Sequence, residues 1–259
     1  MSYYKRIIYC LYFKDNNFYL SRNFSLQRVG DLNWLIKNFE FSSTSIYIDE
    51  LIVILVKKNP DKLDFVNFFK NVENLKKNIF MPIILGGWIK SLDLAKNFFE
   101  NGADKILVNT ISYENKKIIK KIAELYGSQS ISVIIDYKKK NQNIYLYSNC
   151  GTKLEDVSLN QHLNNISDME TGEIILNSID RDGNGAGLDL NILEFLKNDL
   201  SKPILLMGGA GKPDHLSEAL SLQKISGVVT ANLFNFLGAG LKLSRKKLIE
   251  QEINIINFE

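Results

Sequence analysis

The residues of this chain best placed to do chemistry are acids at the ends of apolar runs and a pair of glycines that occurs twice. Asp136 closes Val133-Ile-Ile-Asp, Asp49 closes Ile46-Tyr-Ile-Asp, and Asp180 and Asp182 follow Asn177-Ser-Ile. A carboxylate at a strand end, where loops converge, is suited to moving protons. The plain alternatives are an ion pair of Asp136 with Lys138 and an Asx-type turn over Asp180-Arg-Asp-Gly183. Pro82-Ile-Ile-Leu-Gly86-Gly87 returns about 120 residues on as Pro203-Ile-Leu-Leu-Met-Gly208-Gly209. Consecutive glycines let backbone N–H groups come close to an anion. A second apolar run follows each pair and ends in small polar residues, Asn109-Thr110 in one copy and Thr230-Ala231-Asn232 in the other. From the second glycine to the Asn is 22 residues in the first copy and 23 in the second. Two anion sites are therefore expected to face each other, Gly86, Gly87 and Asn109 against Gly208, Gly209, Ala231 and Asn232.

Such sites need strands that deliver their C-terminal ends to one place. Eight apolar runs qualify: Arg6–Phe13, Ser45–Leu51, Met81–Leu85, Lys105–Asn109, Ile131–Asp136, Glu173–Ser178, Pro203–Met207 and Gly227–Ala231. Helical patterns lie between them, as in Leu92–Asn101, Asn115–Tyr126, Leu190–Asn198 and Pro213–Ser221. Pro213 suits a first helical turn and Asp214 the positive end of the helix dipole. Alternating strands and helices without a linker predict one α/β domain, a closed (β/α)8 TIM barrel over 1–259 with half-barrels of about 1–125 and 126–259. Ile52–Val56 reads as an apolar continuation where a polar loop is expected. Asn141–Lys153 carries an alternating run that predicts an extra hairpin after the fifth strand, a lid or a plain surface hairpin. Ile253–Phe258 reads as an apolar tail packed outside the barrel.

Composition narrows the function classes. A net charge of +3 over 259 residues gives no support for a nucleic-acid surface. No apolar run is long enough for a bilayer, and the start lacks a signal-peptide pattern. Cys10 and Cys150, the only cysteines, form no disulfide framework, which predicts a reducing, cytoplasmic setting. They and the two histidines make no metal-ligand cluster, so neither a metal nor another cofactor is expected. His162 and His215 read as surface residues. No nucleotide-binding glycine fingerprint and no nucleophile elbow occur, so the chain is not expected to hydrolyse glutamine itself.

Lys5-Arg6-Ile-Ile, Cys10-Leu, Lys14-Asp15, Gly102-Ala-Asp-Lys105, Val108-Asn-Thr, Tyr126-Gly-Ser-Gln129, Gly172-Glu-Ile-Ile-Leu, Ser178-Ile-Asp-Arg-Asp-Gly183 and Gly208-Gly-Ala-Gly-Lys-Pro213 appear in order. Together they resemble the cyclase subunit of imidazole glycerol phosphate synthase, through nearly the whole chain. The resemblance implies a lyase-type synthase barrel that pairs with a separate HisH-type glutaminase and takes ammonia through its core. In the histidine pathway it implies two strand-end aspartates that cyclise a bisphosphorylated substrate. It places Asp136 on the fifth-strand aspartate, and Arg6, Lys105 and Glu173 on a charged ring at the ammonia entrance, with Thr44 in place of an acid. Asp104 falls where the family faces the glutaminase. A structural ion-pair cluster closing the floor is the plain alternative.

The chain departs from that pattern at the mouth. Tyr12 stands for the first-strand aspartate, Leu20 for a lysine near the substrate, Trp88 for a small residue of the first phosphate loop and Asn232 for Ser. With Asn177-Ser-Ile-Asp-Arg-Asp-Gly, these departures resemble a branch associated with surface-polysaccharide biosynthesis. There the resemblance implies work with a glutaminase and an ATP-dependent sugar amidotransferase, turning an N-acetyl sugar into an acetamidino sugar on a phosphorylated or nucleotide-sugar substrate. Asp136 and Asp182 would orient or protonate the acceptor with Tyr12 beside them, while Asn177, Gly208, Gly209 and Asn232 bind substrate or phosphate. The alternatives are an authentic histidine-pathway cyclase and a catalytically silent scaffold that activates a glutaminase.

Overall fold

A computed structural model describes residues 4–39, 45–196, 200–231 and 240–257. Twelve strands are present among them: β1 (Arg6–Lys14), β2 (Asn17–Arg22), β3 (Ser25–Gly30), β4 (Glu50–Leu55), β5 (Ile83–Gly86), β6 (Lys105–Val108), β7 (Ile131–Lys140), β8 (Asn143–Ser148), β9 (Lys153–Leu154), β10 (Glu173–Ser178), β11 (Ile204–Met207) and β12 (Ile225–Thr230). Eight of them, β1, β4, β5, β6, β7, β10, β11 and β12, pair in parallel, and β12 pairs back onto β1. The sheet is thus closed, a (β/α)8 barrel as expected.

Successive side chains on a strand point to opposite faces. One set of alternate residues, Ile8, Cys10, Tyr12, Ile52, Ile84, Leu107, Ile134, Ile175, Leu205, Met207 and Val229, forms a buried cluster that fills the barrel lumen. The other set, with Ile7, Tyr9, Leu11 and Phe13 on β1, packs outward into a larger cluster under the helices. This double burial explains why the barrel strands are nearly continuous apolar runs. The helices bury one stripe each: Ile119, Ile122 and Ala123 in Lys116–Tyr126, Phe68, Phe69, Val72 and Leu75 in Lys62–Lys76.

The second strand corrects the sequence reading. Ser45–Tyr47 is a turn of 3-10 helix and the strand runs Glu50–Leu55, so Ile52–Val56 is its body rather than a misplaced loop. Asp49 consequently lies at the barrel floor, not at the mouth. Its Oδ2 accepts from the Ile7 N–H at 2.8 Å and pairs with Arg245 at 2.7 Å. The Leu190–Asn198 helix is a 3-10 helix over Leu190–Phe195, with residues 197–199 outside the described set. The tail joins the floor: the Lys5 N–H donates to the Asn254 carbonyl and Ile255 is buried. Phe258 is not among the described residues.

Two hairpins rise from the mouth, one per half-barrel. The strand β1 continues through Asp15-Asn16 into β2 and β3, and β7 continues through Asn141-Gln142 into β8 and β9. Both central residues of each turn have positive φ, as do Asn23-Phe24 and Asn149-Cys150 at the next turns. That is the type I′ geometry, which suits the twist of paired strands and which Asn tolerates better than most residues. The second hairpin was expected; the first is its internal counterpart.

Candidate active site

Asp136 sits at the mouth on β7, buried, with its side chain toward the lumen. Asn177 Nδ2, on β10, donates to its Oδ1 at 2.7 Å, and Asn109 Nδ2, just past β6, donates to its Oδ2 at 3.1 Å. These amides, rather than Lys138, hold the carboxylate; the Lys138 ammonium lies over the Tyr147 ring instead. Burial pushes the Asp136 carboxyl up to about 7, the Asn177 N–H opposes the rise, and the Asp182 charge adds to it. A carboxyl poised there exchanges its proton readily near neutrality.

Tyr12 lies in the same cavity on β1, buried and hydrogen-bonded to the Cys10 thiol. Burial first, then the neighbouring Cys10, Asp182 and Asp136 charges, raises its phenol well above the ordinary value. Tyr12 therefore keeps its proton and supplies no base. Asp182 is tied to the first hairpin. Its Oδ2 accepts from Ser21 Oγ at 2.5 Å and the Phe24 N–H at 2.9 Å, and its carbonyl accepts from the Asn23 N–H at 2.9 Å. It ties the β2–β3 turn to the loop after β10. Asp180 is exposed and accepts from the Lys139 N–H at 2.8 Å.

A cavity of about 400 Å³ opens above Asp136. Tyr12, Ile54, Val56, Trp88, Asn109, Ile134 and Asn177 line it, with Phe24, Asn149 and Cys150 from the hairpin turns above. The Phe24 ring packs against Gly151, where a Cβ would collide with it. Trp88 has positive φ, its Nε1 is buried without an acceptor, and Lys90 Nζ stands 4.7 Å from its ring centroid. Asn109 Oδ1 and Asn177 Oδ1 are buried without donors.

The two glycine pairs serve close packing. A side chain on Gly87 would strike the Leu55 carbonyl, and one on Gly86 would press on Leu107. A side chain on Gly208 would strike the Ser178 carbonyl, and the Gly187 N–H donates to the Gly209 carbonyl at 2.8 Å. Gly87 borders the cavity; Ala231, just past β12, is half-buried, and Asn232 is outside the described residues. Leu20 faces the outer core. His162 is not a surface residue: it is buried, stacks on Tyr113 with centroids 3.8 Å apart, and shares a 3.2 Å hydrogen bond with Ser112 Oγ. Burial lowers its pKa to about 4.

At the floor, Arg6 reaches Glu50 at 2.9 Å and Glu173 at 2.7 Å, and Lys105 reaches the same two acids at 2.9 and 3.3 Å. The ring therefore has two acids. Glu50 takes the place that the sequence reading assigned to Thr44, which lies outside the described residues. Burial alone would raise Glu173, but Arg6 and Lys105 outweigh it and hold the carboxyl below its ordinary value. Asp104 is exposed beside the ring, and its Oδ2 accepts from the Ile83 N–H at 2.8 Å. Asp49-Glu50 and Asp104-Lys105 are the same device, an Asp that braces the neighbouring strand and a charged residue aimed at the axis, a likeness that shows only once the second strand is placed. The first hairpin and its Ser21 were missed too, although Lys14-Asp-Asn-Asn17 before Phe18-Tyr-Leu is a turn signal.

The histidine biosynthesis protein family matches residues 61–238. A protein of Parasynechococcus marenigrum (strain WH8102), provisionally named imidazole glycerol phosphate synthase subunit hisF2, is 42% identical over 94% of this chain and 90% of its own length. The imidazole glycerol phosphate synthase subunit HisF of Saccharolobus solfataricus is 32% identical over 89% of this chain and 90% of its own. That of Chlorobium phaeobacteroides is 29% identical over 97% and 98%. The chain belongs to the HisF family. Asp136 and the Tyr12 phenol share its mouth. No helix among the described residues is long and apolar enough to cross a membrane.

Proposed function

We propose that this HisF-family barrel is the ammonia-using subunit of a two-subunit glutamine amidotransferase, with Asp136 as its proton-transfer group. The observation that carries this reading is the four-membered floor ring of Arg6, Glu50, Lys105 and Glu173, complete beneath an apolar lumen. A glutaminase seated over Asp104 and the ring releases ammonia there. The lumen residues Ile8, Ile52, Ile134 and Val229 favour neutral ammonia over ammonium, because an unpaired ion is expensive to desolvate. At the mouth ammonia adds to an electrophilic carbon of the acceptor, and Asp136 carries the proton that this nitrogen loses or the acceptor gains.

The relatives' names favour the bisphosphate of histidine biosynthesis as acceptor, so that substrate is tested first. A second reading, amidination of an N-acetyl sugar with an ATP-using partner, is favoured by Tyr12 and Trp88, which remove a carboxylate and fill a phosphate loop. The deciding experiment is ammonium-dependent turnover of the histidine-pathway bisphosphate by the purified chain at moderately alkaline pH. Product establishes the first acceptor. No product from a folded chain that still stimulates a HisH-type glutaminase moves the search to sugars. Glutaminase stimulation with no ammonia-dependent product on either acceptor overturns the proposal in favour of a silent scaffold.

A further inference from the structure

The polar atoms left unpartnered in the cavity specify what can fill it. Trp88 Nε1 is a buried donor that lacks an acceptor; Asn109 Oδ1 and Asn177 Oδ1 are buried acceptors that lack donors. All three side chains line the same cavity as Asp136. A phosphate dianion offers acceptors only, so it could satisfy Trp88 but would leave both amide oxygens facing negative charge. It would also lie beside the Asp136 carboxyl and against Leu26, Ile54 and Val56. Of the two lysines in the lining, Lys153 is paired with Glu155 and the Lys90 ammonium lies over the Trp88 ring, so a phosphate there would compete with contacts already made. Hydroxyl groups both donate and accept, and a hydroxylated ring has an apolar face for the indole.

We propose that the Trp88 side of the mouth binds an uncharged, hydroxyl-bearing ring of the substrate, and that phosphate recognition has been lost on this half of the barrel. The substrate then carries a phosphate at one end at most. The backbone supports the exchange. Trp88 sits at φ 59°, a conformation for which glycine is the ordinary residue, immediately after Gly86-Gly87. A bulky side chain held there, where the second copy has the small Ala210 after its glycine pair, turns a backbone anion nest into an aromatic platform. The inference rests on reading this mouth as the acceptor site and goes with the second of the two acceptors, since a bisphosphate would need an anion site on both halves; turnover of the bisphosphate therefore overturns it.

The test uses the Trp34→Phe chain, in which Trp88 is the one remaining tryptophan. N-acetyl-D-glucosamine serves as a neutral ring probe and inorganic phosphate as the anionic one, read by Trp88 fluorescence and ligand-observed saturation-transfer NMR. The ring probe is expected to perturb Trp88 and receive saturation, and equimolar phosphate to leave both signals unchanged. Trp88→Gly should weaken ring binding about tenfold, equivalent to ~1.4 kcal/mol, and gain phosphate binding. Trp88→Phe, which keeps a ring but no N–H, should fall between. Phosphate displacing the ring probe, no ring binding at millimolar concentration, or equal ring binding by Trp88→Gly overturns the inference. Glutaminase stimulation is measured on the same preparations: its loss beside intact ring binding counts against the amidotransferase reading, not against the ring site.

Discussion

Asp136 and His162 are both buried, yet their protons pull stability in opposite directions. Asp136 has a folded-state pKa near 7, above its unfolded value. Between about pH 4 and 7 the folded state therefore binds more protons, and this residue makes stability fall as pH rises, with the penalty complete above 7. His162 has a folded-state pKa near 4, below its unfolded value. Between about 4 and 6.5 the unfolded state binds more protons, so stability falls as pH drops, by roughly 3 kcal/mol at most. Urea melts at pH 4.5 and 8 should show Asp136→Asn gaining over the parent mainly at pH 8. His162→Phe should gain over the parent mainly at pH 4.5. In turnover, Asp136→Asn should lose about 10²- to 10⁴-fold. The parent should show a single ionisation near pH 7 with no second carboxylate limb, because Tyr12 stays protonated; a bell-shaped profile would contradict the role given to Tyr12.

The hairpins depend on a few contacts at their turns. Asp182 holds Ser21, Asn23 and Phe24 from below, and Gly151 admits the Phe24 ring from the side. Asp182→Ala should release that turn: hydrogen exchange at the Asn23 and Phe24 amides is expected to speed up at least tenfold, while amides of β7 and β10 stay protected. Unchanged exchange would show that Asp182 acts elsewhere in the site. Gly87→Ala tests the other half of the mouth. It adds a Cβ that meets the Leu55 carbonyl at a positive φ, so a loss of about 1–3 kcal/mol in a urea melt is expected.

Among the described residues that line the barrel axis, charge is confined to the floor and the mouth, with apolar layers between. Glu50→Ala leaves Arg6 and Lys105 sharing Glu173 alone. A buried pair broken in this way costs about 3–5 kcal/mol. Here roughly 1–3 kcal/mol is expected, because Arg6 and Lys105 remain 19% and 21% exposed and solvent screens them. The glutamine-driven rate should drop more than the ammonium-driven rate in the same variant. Equal loss in both assays would make the ring a structural clamp only.

The repeat of Pro-Ile-x-Leu with Gly-Gly, the alternation of strands and helices, and the place of Asp136 at the mouth were legible in the chain as local patterns of residue types, although β7 runs past Asp136 to Lys140 where the chain predicts a strand end. Arg6, Lys105, Glu173 and Asp104 came together only through the family resemblance, since they lie far apart in the chain. The start of the second barrel strand was not legible, since Ile46-Tyr-Ile and Leu51-Ile-Val-Ile are equally apolar and periodicity cannot choose between them. That one displacement moved Asp49 from mouth to floor and hid Glu50. The burial of His162 was legible but missed: with Leu159, Leu163 and Ile166 it falls at i, i+3, i+4 and i+7 on the inner stripe of Leu159–Ser167. The fold also decided the surroundings of each acid: Asp136 and Asp182 look alike in the chain, and burial raises the carboxyl of both, but one lies between two amides beneath an open cavity and the other is tied to a hairpin. Burial and partners set that difference, and both arise from residues distant in sequence.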